Sequence, residues 1–210
     1  MRLITLFAAV VASSTSLAQP TSSSLALEEL SACNATFFRA LAARRSTLSD
    51  LSKLDGSATA AAFSVPERRH PTESRTMFKR PIQIESMKIV GFFDEILDIP
   101  DGMSSYSWGY LIEGAVPSTA AAAKKFIWDP SRLRSDGPVF VRSEVWSHSN
   151  PSLGWAKVQT EAGVPKQGTI ERVFLIEPYD GEATFIRMGC ALQGNITEPV
   201  LREIRPDLRP

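Results

Sequence analysis

One segment, Ala183 to Gly194, constrains the fold of this chain more than any other. It reads Ala-Thr-Phe-Ile-Arg-Met-Gly-Cys-Ala-Leu-Gln-Gly and contains Cys190, one of only 2 cysteines in 210 residues. Apolar residues occupy every second position in it, as in a β-strand with one face on a core. The turn signal Asp180-Gly181 precedes the segment, and Gly194 ends it. We therefore predict a strand with a cysteine on its buried face.

The first 18 residues have the pattern of a secretory signal peptide. A charged start at Arg2 leads into an apolar run from Leu3 to Val11, and small residues precede a cleavage site after Ala18. The run is too short to cross a bilayer as a helix. A buried N-terminal helix is the alternative, but the run lacks a polar face. We predict a signal peptide over 1–18, and hence a periplasmic or secreted protein.

The two cysteines are predicted to form a disulfide, Cys33–Cys190. Exported proteins with a small, even number of cysteines commonly pair them. A pair of free, buried cysteines is the alternative. Residues 30–33, Leu-Ser-Ala-Cys, resemble the lipobox of bacterial lipoproteins, in which the cysteine becomes lipidated. Glu28 and Glu29 separate this motif from the apolar run, so we do not expect a lipid anchor at Cys33.

Residues 25–56 show helical periodicity after a polar N-terminal segment at 19–24. Apolar residues such as Leu27, Leu30 and Leu41 recur at intervals of three and four residues. Glutamates lie near the start of the segment and arginines near its end, as the helix dipole favours. We therefore predict a long N-terminal helix that packs on the rest of the domain.

The next segment, 57–81, has the composition of a linker. It contains Pro66, Pro71 and Pro81 together with many charged residues. Proline and charge at this density favour a solvated loop. A basic loop that docks an acidic partner is the alternative.

Residues 82–210 are predicted to form an antiparallel sheet domain. Alternating runs such as 104–113 and 139–148 are separated by turns rich in Gly, Pro, Asp and Asn. Helical patterns occur between strands at 118–128 and near the C-terminus at 195–204. The predicted fold class is α+β: a long N-terminal helix on a sheet of about six strands, with a helix between strands and a short C-terminal helix.

Two hairpins of this domain match each other at a spacing of about eighty residues. Gly109 matches Gly189 and Gly114 matches Gly194, and a predicted helix follows each hairpin. A duplicated hairpin-helix unit would explain the match. The alternative is that any two amphipathic hairpins ending in glycine look alike.

Composition and motifs exclude several function classes. The formal net charge is 0, so we expect no nucleic-acid partner. Nucleophile elbows, phosphate-binding loops, zinc signatures and dinucleotide fingerprints are absent. We therefore expect no cofactor and no metal site, and we favour a non-enzymatic role.

One strand face could form a binding surface. Side chains of the predicted strand 139–148 would share this face with side chains of neighbouring hairpins, and Trp and Arg commonly dominate interfaces. A solvated face is the alternative. A catalytic pair of His148 with Glu144 is not expected, because their Cα atoms would lie roughly 13 Å apart. The predicted surface comprises Arg142, Glu144, Trp146, His148, Trp155, Lys157, Arg172 and Arg187.

Three functions remain open, and the partner is an unknown protein or a small hydrophobic ligand. The first is an exported binding or interaction protein, such as an inhibitor, an immunity-type factor or an envelope component. The second is a carrier that holds a small hydrophobic ligand between helix and sheet. The third is a hydrolase-type enzyme whose site forms only in the folded chain. The carrier's cavity would be lined by Phe37, Tyr106, Trp108, Tyr110 and Met188.

Overall fold

The computed structural model describes residues 25–157, 165–180 and 184–208. The predicted signal peptide and the polar segment after it lie outside these residues. No helix within the described residues is long and apolar enough to cross a membrane.

Three short helices, not one long helix, form the N-terminal segment. Helix α1 spans Leu27–Ser31, α2 spans Ala35–Ala43 and α3 spans Arg45–Leu48. Ala26 and Cys33 have left-handed backbone conformations, with φ of 54° and 51°, and an α-helix of L-residues cannot continue through such a residue. The predicted long N-terminal helix is therefore wrong. Its apolar spacing runs on through the short helices, but the backbone breaks at Cys33.

Asn34 is the N-cap of α2. Its Oδ1 accepts a hydrogen bond from the backbone N–H of Thr36 at 2.9 Å, which satisfies one of the donors left open at a helix start. We expect Asn34→Ala to lower the free energy of unfolding by about 1 kcal/mol, measured by urea denaturation of the oxidised protein. Asn34→Asp keeps the accepting oxygen and is the matched control. Equal losses in both variants would contradict the capping role.

More of the described chain lies in β-strands than in helices. A small sheet pairs β1 with β2, and a larger antiparallel sheet has the spatial order β3-β4-β5-β9-β8-β7-β6. The predicted sheet of about six strands is thus seven strands wide. The predicted α+β fold, with a long helix on the sheet, is therefore wrong: the chain folds mainly around this sheet and has only short helices. The strands are β1 Leu54–Gly56, β2 Ala61–Phe63, β3 Arg75–Ile84, β4 Met87–Ile99, β5 Met103–Glu113, β6 Arg134–Asp136, β7 Val139–Ser147, β8 Thr169–Pro178 and β9 Phe185–Gly194.

Residues 57–81, predicted to be a linker, contain β2 and much of β3. Phe63 of β2 is fully buried. The register between β3 and β4 shifts between Met77 and Ile82, and Pro81 lies at this irregularity. An edge strand tolerates proline there because no neighbour needs its missing N–H. Pro81 therefore marks an irregularity in an edge strand.

The central strands β5 and β9 are neighbours, and Gly109 lies opposite Gly189. A Cβ atom on Gly109 would lie 2.3 Å from the carbonyl oxygen of Met188, and one on Gly189 would lie 2.1 Å from that of Trp108. Only glycine permits this approach. Gly109 and Gly189, which match each other in the predicted internal repeat, are thus in contact at the centre of the sheet.

A short helix follows each of these central strands. Helix α4, Val116–Ala123, comes after β5, and α5, Glu198–Ile204, comes after β9. Both helices and the N-terminal helices contribute to one hydrophobic core. This core lies on the sheet face that carries Phe92, Trp108 and Cys190, which we call the inner face. The opposite face is the outer face.

Candidate functional site

The disulfide predicted from the sequence is present. Cys33 and Cys190 are bonded, with their Cα atoms 5.4 Å apart, and both are buried. The bond joins the break between α1 and α2 to the central strand β9. A sulfur held in a disulfide cannot also carry the thioether of a lipid anchor.

Cations and tryptophans gather on the inner face at the β7 end of the sheet. Strand β7 places Arg142 and Glu144 there, two residues apart, and β8 places Arg172 directly opposite Glu144. The loop between α4 and β6 adds further residues from the next layer. We call the whole group the Trp–Arg cluster: Trp128, Asp129, Arg132, Arg142, Glu144, Trp155, Lys157 and Arg172.

A single β-bridge brings Trp155 and Lys157 into this cluster. Ala156 pairs with Val145 of β7 through hydrogen bonds of 2.8 and 2.9 Å. Opposite residues of an antiparallel pair share a face, and their neighbours in sequence point to the other one. Trp155 and Lys157 therefore lie on the inner face together with Glu144. The sequence pattern predicted that Trp155 and Lys157 share a face with Glu144, but it did not reveal the β-bridge that places them there.

Glu144 is a buried carboxylate shared by two arginines. Its Oε2 accepts a hydrogen bond from Arg172 Nε at 2.5 Å, and its Oε1 accepts one from Arg132 Nη1 at 3.4 Å. The Arg172 guanidinium also lies 4.6 Å from the centre of the Trp155 ring. Both carboxylate oxygens of Glu144 accept hydrogen bonds from arginines, so Glu144 holds these cations in place.

Arg142 is buried, and no carboxylate of the described residues forms an ion pair with it. It is 3% exposed and donates hydrogen bonds to the backbone carbonyl oxygens of Trp128 and Ser31. Its guanidinium lies 4.8 Å from the Trp128 ring centre and 5.9 Å from that of Phe174. Its Nε has no hydrogen-bond partner. Burial lowers the pKa of Arg142 to about 10, so dipoles and aromatic rings only partly compensate its charge.

The solvent side of the cluster is formed by Trp128 and Lys157. Trp128 is 38% exposed, and Lys157 Nζ lies 5.2 Å from its ring centre and 3.1 Å from Asp129 Oδ2. Hydrogen bonds from Ser131 and then Lys157 lower the pKa of Asp129. Leu153, just before Trp155, is 75% exposed. Trp128 thus presents an exposed aromatic ring with a cation held against it.

Trp146 and His148 lie at the end of β7, and their rings meet edge to face with centroids 4.7 Å apart. His148 Nε2 is 2.8 Å from the carbonyl oxygen of Asn195. A carbonyl oxygen can only accept, so Nε2 carries the proton. The contacts of His148 are thus with Trp146 and Asn195, whereas Glu144 bonds to arginines.

Arg187, predicted to share the face of Arg142, lies on the outer face. It donates hydrogen bonds to Glu95 at 3.1 Å and to Glu177 at 2.8 Å. Its neighbour Met188 points into the core, and successive residues of a strand alternate between faces. Burial raises the pKa of Glu177 despite this pairing. Arg187 therefore takes no part in the Trp–Arg cluster.

Residues predicted to line a ligand cavity lie in the core. Phe37, Trp108, Tyr110 and Met188 are buried, and Tyr106 packs against the core while partly buried. The Phe37 ring centre lies 6.1 Å from that of Tyr110, and the Tyr110 hydroxyl donates to the Leu25 carbonyl oxygen at 2.6 Å. Phe37 and Tyr110 thus contact each other, and the predicted cavity stays a prediction.

A second buried charge network was not predicted from the sequence. Arg205, just after α5, is fully buried, as is Asp94 of β4. Arg205 Nη2 lies 2.9 Å from Asp94 Oδ2 and 2.8 Å from Asp207 Oδ2, and Arg68 Nε lies 2.6 Å from Asp94 Oδ2. The Arg205 guanidinium also lies 4.7 Å from the Phe38 ring centre. Only the Arg-Pro-Asp sequence at 205–207 hints at this network, and its partner Asp94 is far away in the chain.

Comparisons of the chain with protein-family models, with curated proteins and with solved structures gave no match. Within the part of the chain that the structure describes, no group of three or more His, Cys, Asp or Glu side chains could hold a metal ion. The functional interpretation therefore depends on the geometry of the sites themselves.

Proposed function

We propose that the protein is an exported binding protein that contacts a partner through the Trp–Arg cluster. The observation that carries this proposal is the exposed Trp128 ring held against two cations, Arg142 and Lys157. Export is supported by the N-terminal sequence pattern and by the disulfide, which is typical of oxidising compartments.

The composition of the cluster suits an interface. Trp and Arg are the residues that most often dominate binding energy, because they offer large contact areas and fixed donors. Here Arg172 is already oriented by Glu144 and stacked on Trp155. Little side-chain entropy would then be lost on binding, which favours affinity.

Other functions have less support. A carrier needs space for its ligand, and the proposed lining residues Phe37 and Tyr110 contact each other. A hydrolase would need a general base near a nucleophile, and His148 bonds through Nε2 to a backbone carbonyl. The binding role is therefore the one that the arrangement of side chains favours.

Capture of a partner from the native compartment tests the proposal. The bait is the exported, oxidised protein, whose intact mass should correspond to a start at Gln19. We expect Trp128→Ala to reduce the recovered partner at least about tenfold, the effect of losing a hot-spot residue. Met77→Ala is the matched control, because Met77 is also an exposed large apolar residue, on strand β3. Equal recovery with both variants would refute the proposed surface.

A further inference from the structure

We infer that the segment recognised by the Trp–Arg cluster is acidic: a stretch of polypeptide that carries carboxylate side chains beside apolar ones. This inference rests on the proposed function and names the chemistry of the partner.

The cluster carries more positive than negative charge, although the chain as a whole has a formal net charge of 0. Both of its carboxylates already have cationic partners: Glu144 bonds to two arginines and Asp129 to Lys157. A local positive excess attracts an acidic partner and disfavours a basic one. The cations are Arg132, Arg142, Lys157 and Arg172, and the carboxylates are Asp129 and Glu144.

The environment of Arg142 explains why this excess of positive charge favours an acidic partner. A buried charge without an opposite charge is costly, and no carboxylate among the described residues bonds to Arg142. Burial lowers its pKa to about 10, although the charges of Glu144 and Asp129 act in the opposite direction. A carboxylate brought to the neighbouring Trp128 and Lys157 would stabilise that charge further. An acidic partner would thus add negative charge near an arginine that forms no ion pair with any carboxylate of the described residues.

The exposed groups favour a polypeptide over a free oxyanion. Trp128 is 38% exposed and Leu153 is 75% exposed, and both offer apolar contact that an inorganic anion cannot use. The most accessible cation, Lys157, has a side chain that is 55% exposed and lies against the Trp128 ring. A segment that mixes carboxylates with aliphatic side chains matches this alternation of charge and apolar surface.

The test uses a short fluorescent peptide of alternating Glu and Leu, with a Gln and Leu peptide as its uncharged match. Binding is measured by fluorescence anisotropy at low ionic strength. We expect the Glu peptide to bind more tightly than the Gln peptide and to weaken as salt is added, because salt screens exposed charges. Inorganic phosphate, added as a competitor, should displace the peptide no better than an equal ionic strength of chloride does.

Matched charge removals locate the binding site. Lys157→Gln should raise the Kd of the Glu peptide about threefold, the size of one exposed ion pair. Lys79→Gln removes the same charge from β3, at the opposite edge of the sheet, and should leave Kd unchanged. Circular dichroism and thermal unfolding establish that both variants fold. Both are surface changes and leave the Arg142 environment intact.

Three outcomes would overturn the inference: equal binding of the Glu and Gln peptides, equal effects of the two lysine variants, or specific displacement by phosphate. Its failure can be separated from failure of the proposed function. If partner capture depends on Trp128 but resists salt and the Glu peptide does not bind, the surface is right and its acidic specificity is wrong. If capture is independent of Trp128, the proposed function fails whatever the peptides do.

Discussion

Cys33→Ala should lower the free energy of unfolding by about 5 kcal/mol, the largest loss we expect from one substitution. The disulfide closes a loop with a sequence separation of 157 residues. In the chain-entropy model, opening so long a loop restores many conformations to the unfolded chain. Because stabilities of single domains are commonly about 5–15 kcal/mol, this loss would bring the protein close to unfolding.

The control for this prediction is the other half of the bond. Cys190→Ala and the double variant should lose as much as Cys33→Ala, because each opens the same loop. Denaturant unfolding measures the three losses, and wild-type protein refolded with reductant present should match the variants. Intact masses that differ by two hydrogens between oxidised and reduced wild type verify the bond. An unchanged unfolding midpoint after verified reduction would show that the clamp does not stabilise the fold.

Local sequence signals predicted some strands and missed others. Alternation between turn residues located β5, β7 and β9, since side-chain period and turn chemistry are both read over a few residues. Strand β2 and most of β3 lie in the segment predicted to be a linker. The N-terminal helices show where such signals fail. Periodicity places apolar residues on one side, but it does not reveal that Cys33 adopts a φ of 51°, a conformation rare outside Gly, Asn and Asp.

The residues of the candidate site were also predicted only in part. Period two along β7 grouped Arg142 with Glu144 correctly, because both belong to one strand. Arg187 lies opposite the Cys190 face of β9, as the alternation predicted, but grouping it with Arg142 and Glu144 was wrong. Which residues of a second strand share that face depends on register, and a shift of one residue reverses every side chain. For the long-range pair of Asp94 with Arg205, only the Arg-Pro-Asp sequence at 205–207 gives a local signal.

Arg205 supports the second prediction of a large effect. Burial alone would lower the pKa of Arg205, but the charges of Asp207 and Asp94 outweigh it and the pKa is raised. We expect Arg205→Met to lower the free energy of unfolding by about 3–5 kcal/mol, because buried Asp207 loses its pairing with Arg205 and buried Asp94 keeps only Arg68. Urea denaturation of the oxidised protein measures the loss. Arg202→Met is the control: Arg202 forms an exposed pair with Glu198 one turn away, and removing such a pair changes stability by about 0.5 kcal/mol.

A second variant separates the charge effect from lost packing. Arg205→Lys keeps a positive charge beside Asp94 and Asp207 but loses the planar guanidinium that lies over Phe38 and Trp108. We expect Arg205→Lys to lose less stability than Arg205→Met in the same urea denaturation, because the buried carboxylates keep a cation. Equal losses in the two variants would assign the role of Arg205 to packing and not to its charge.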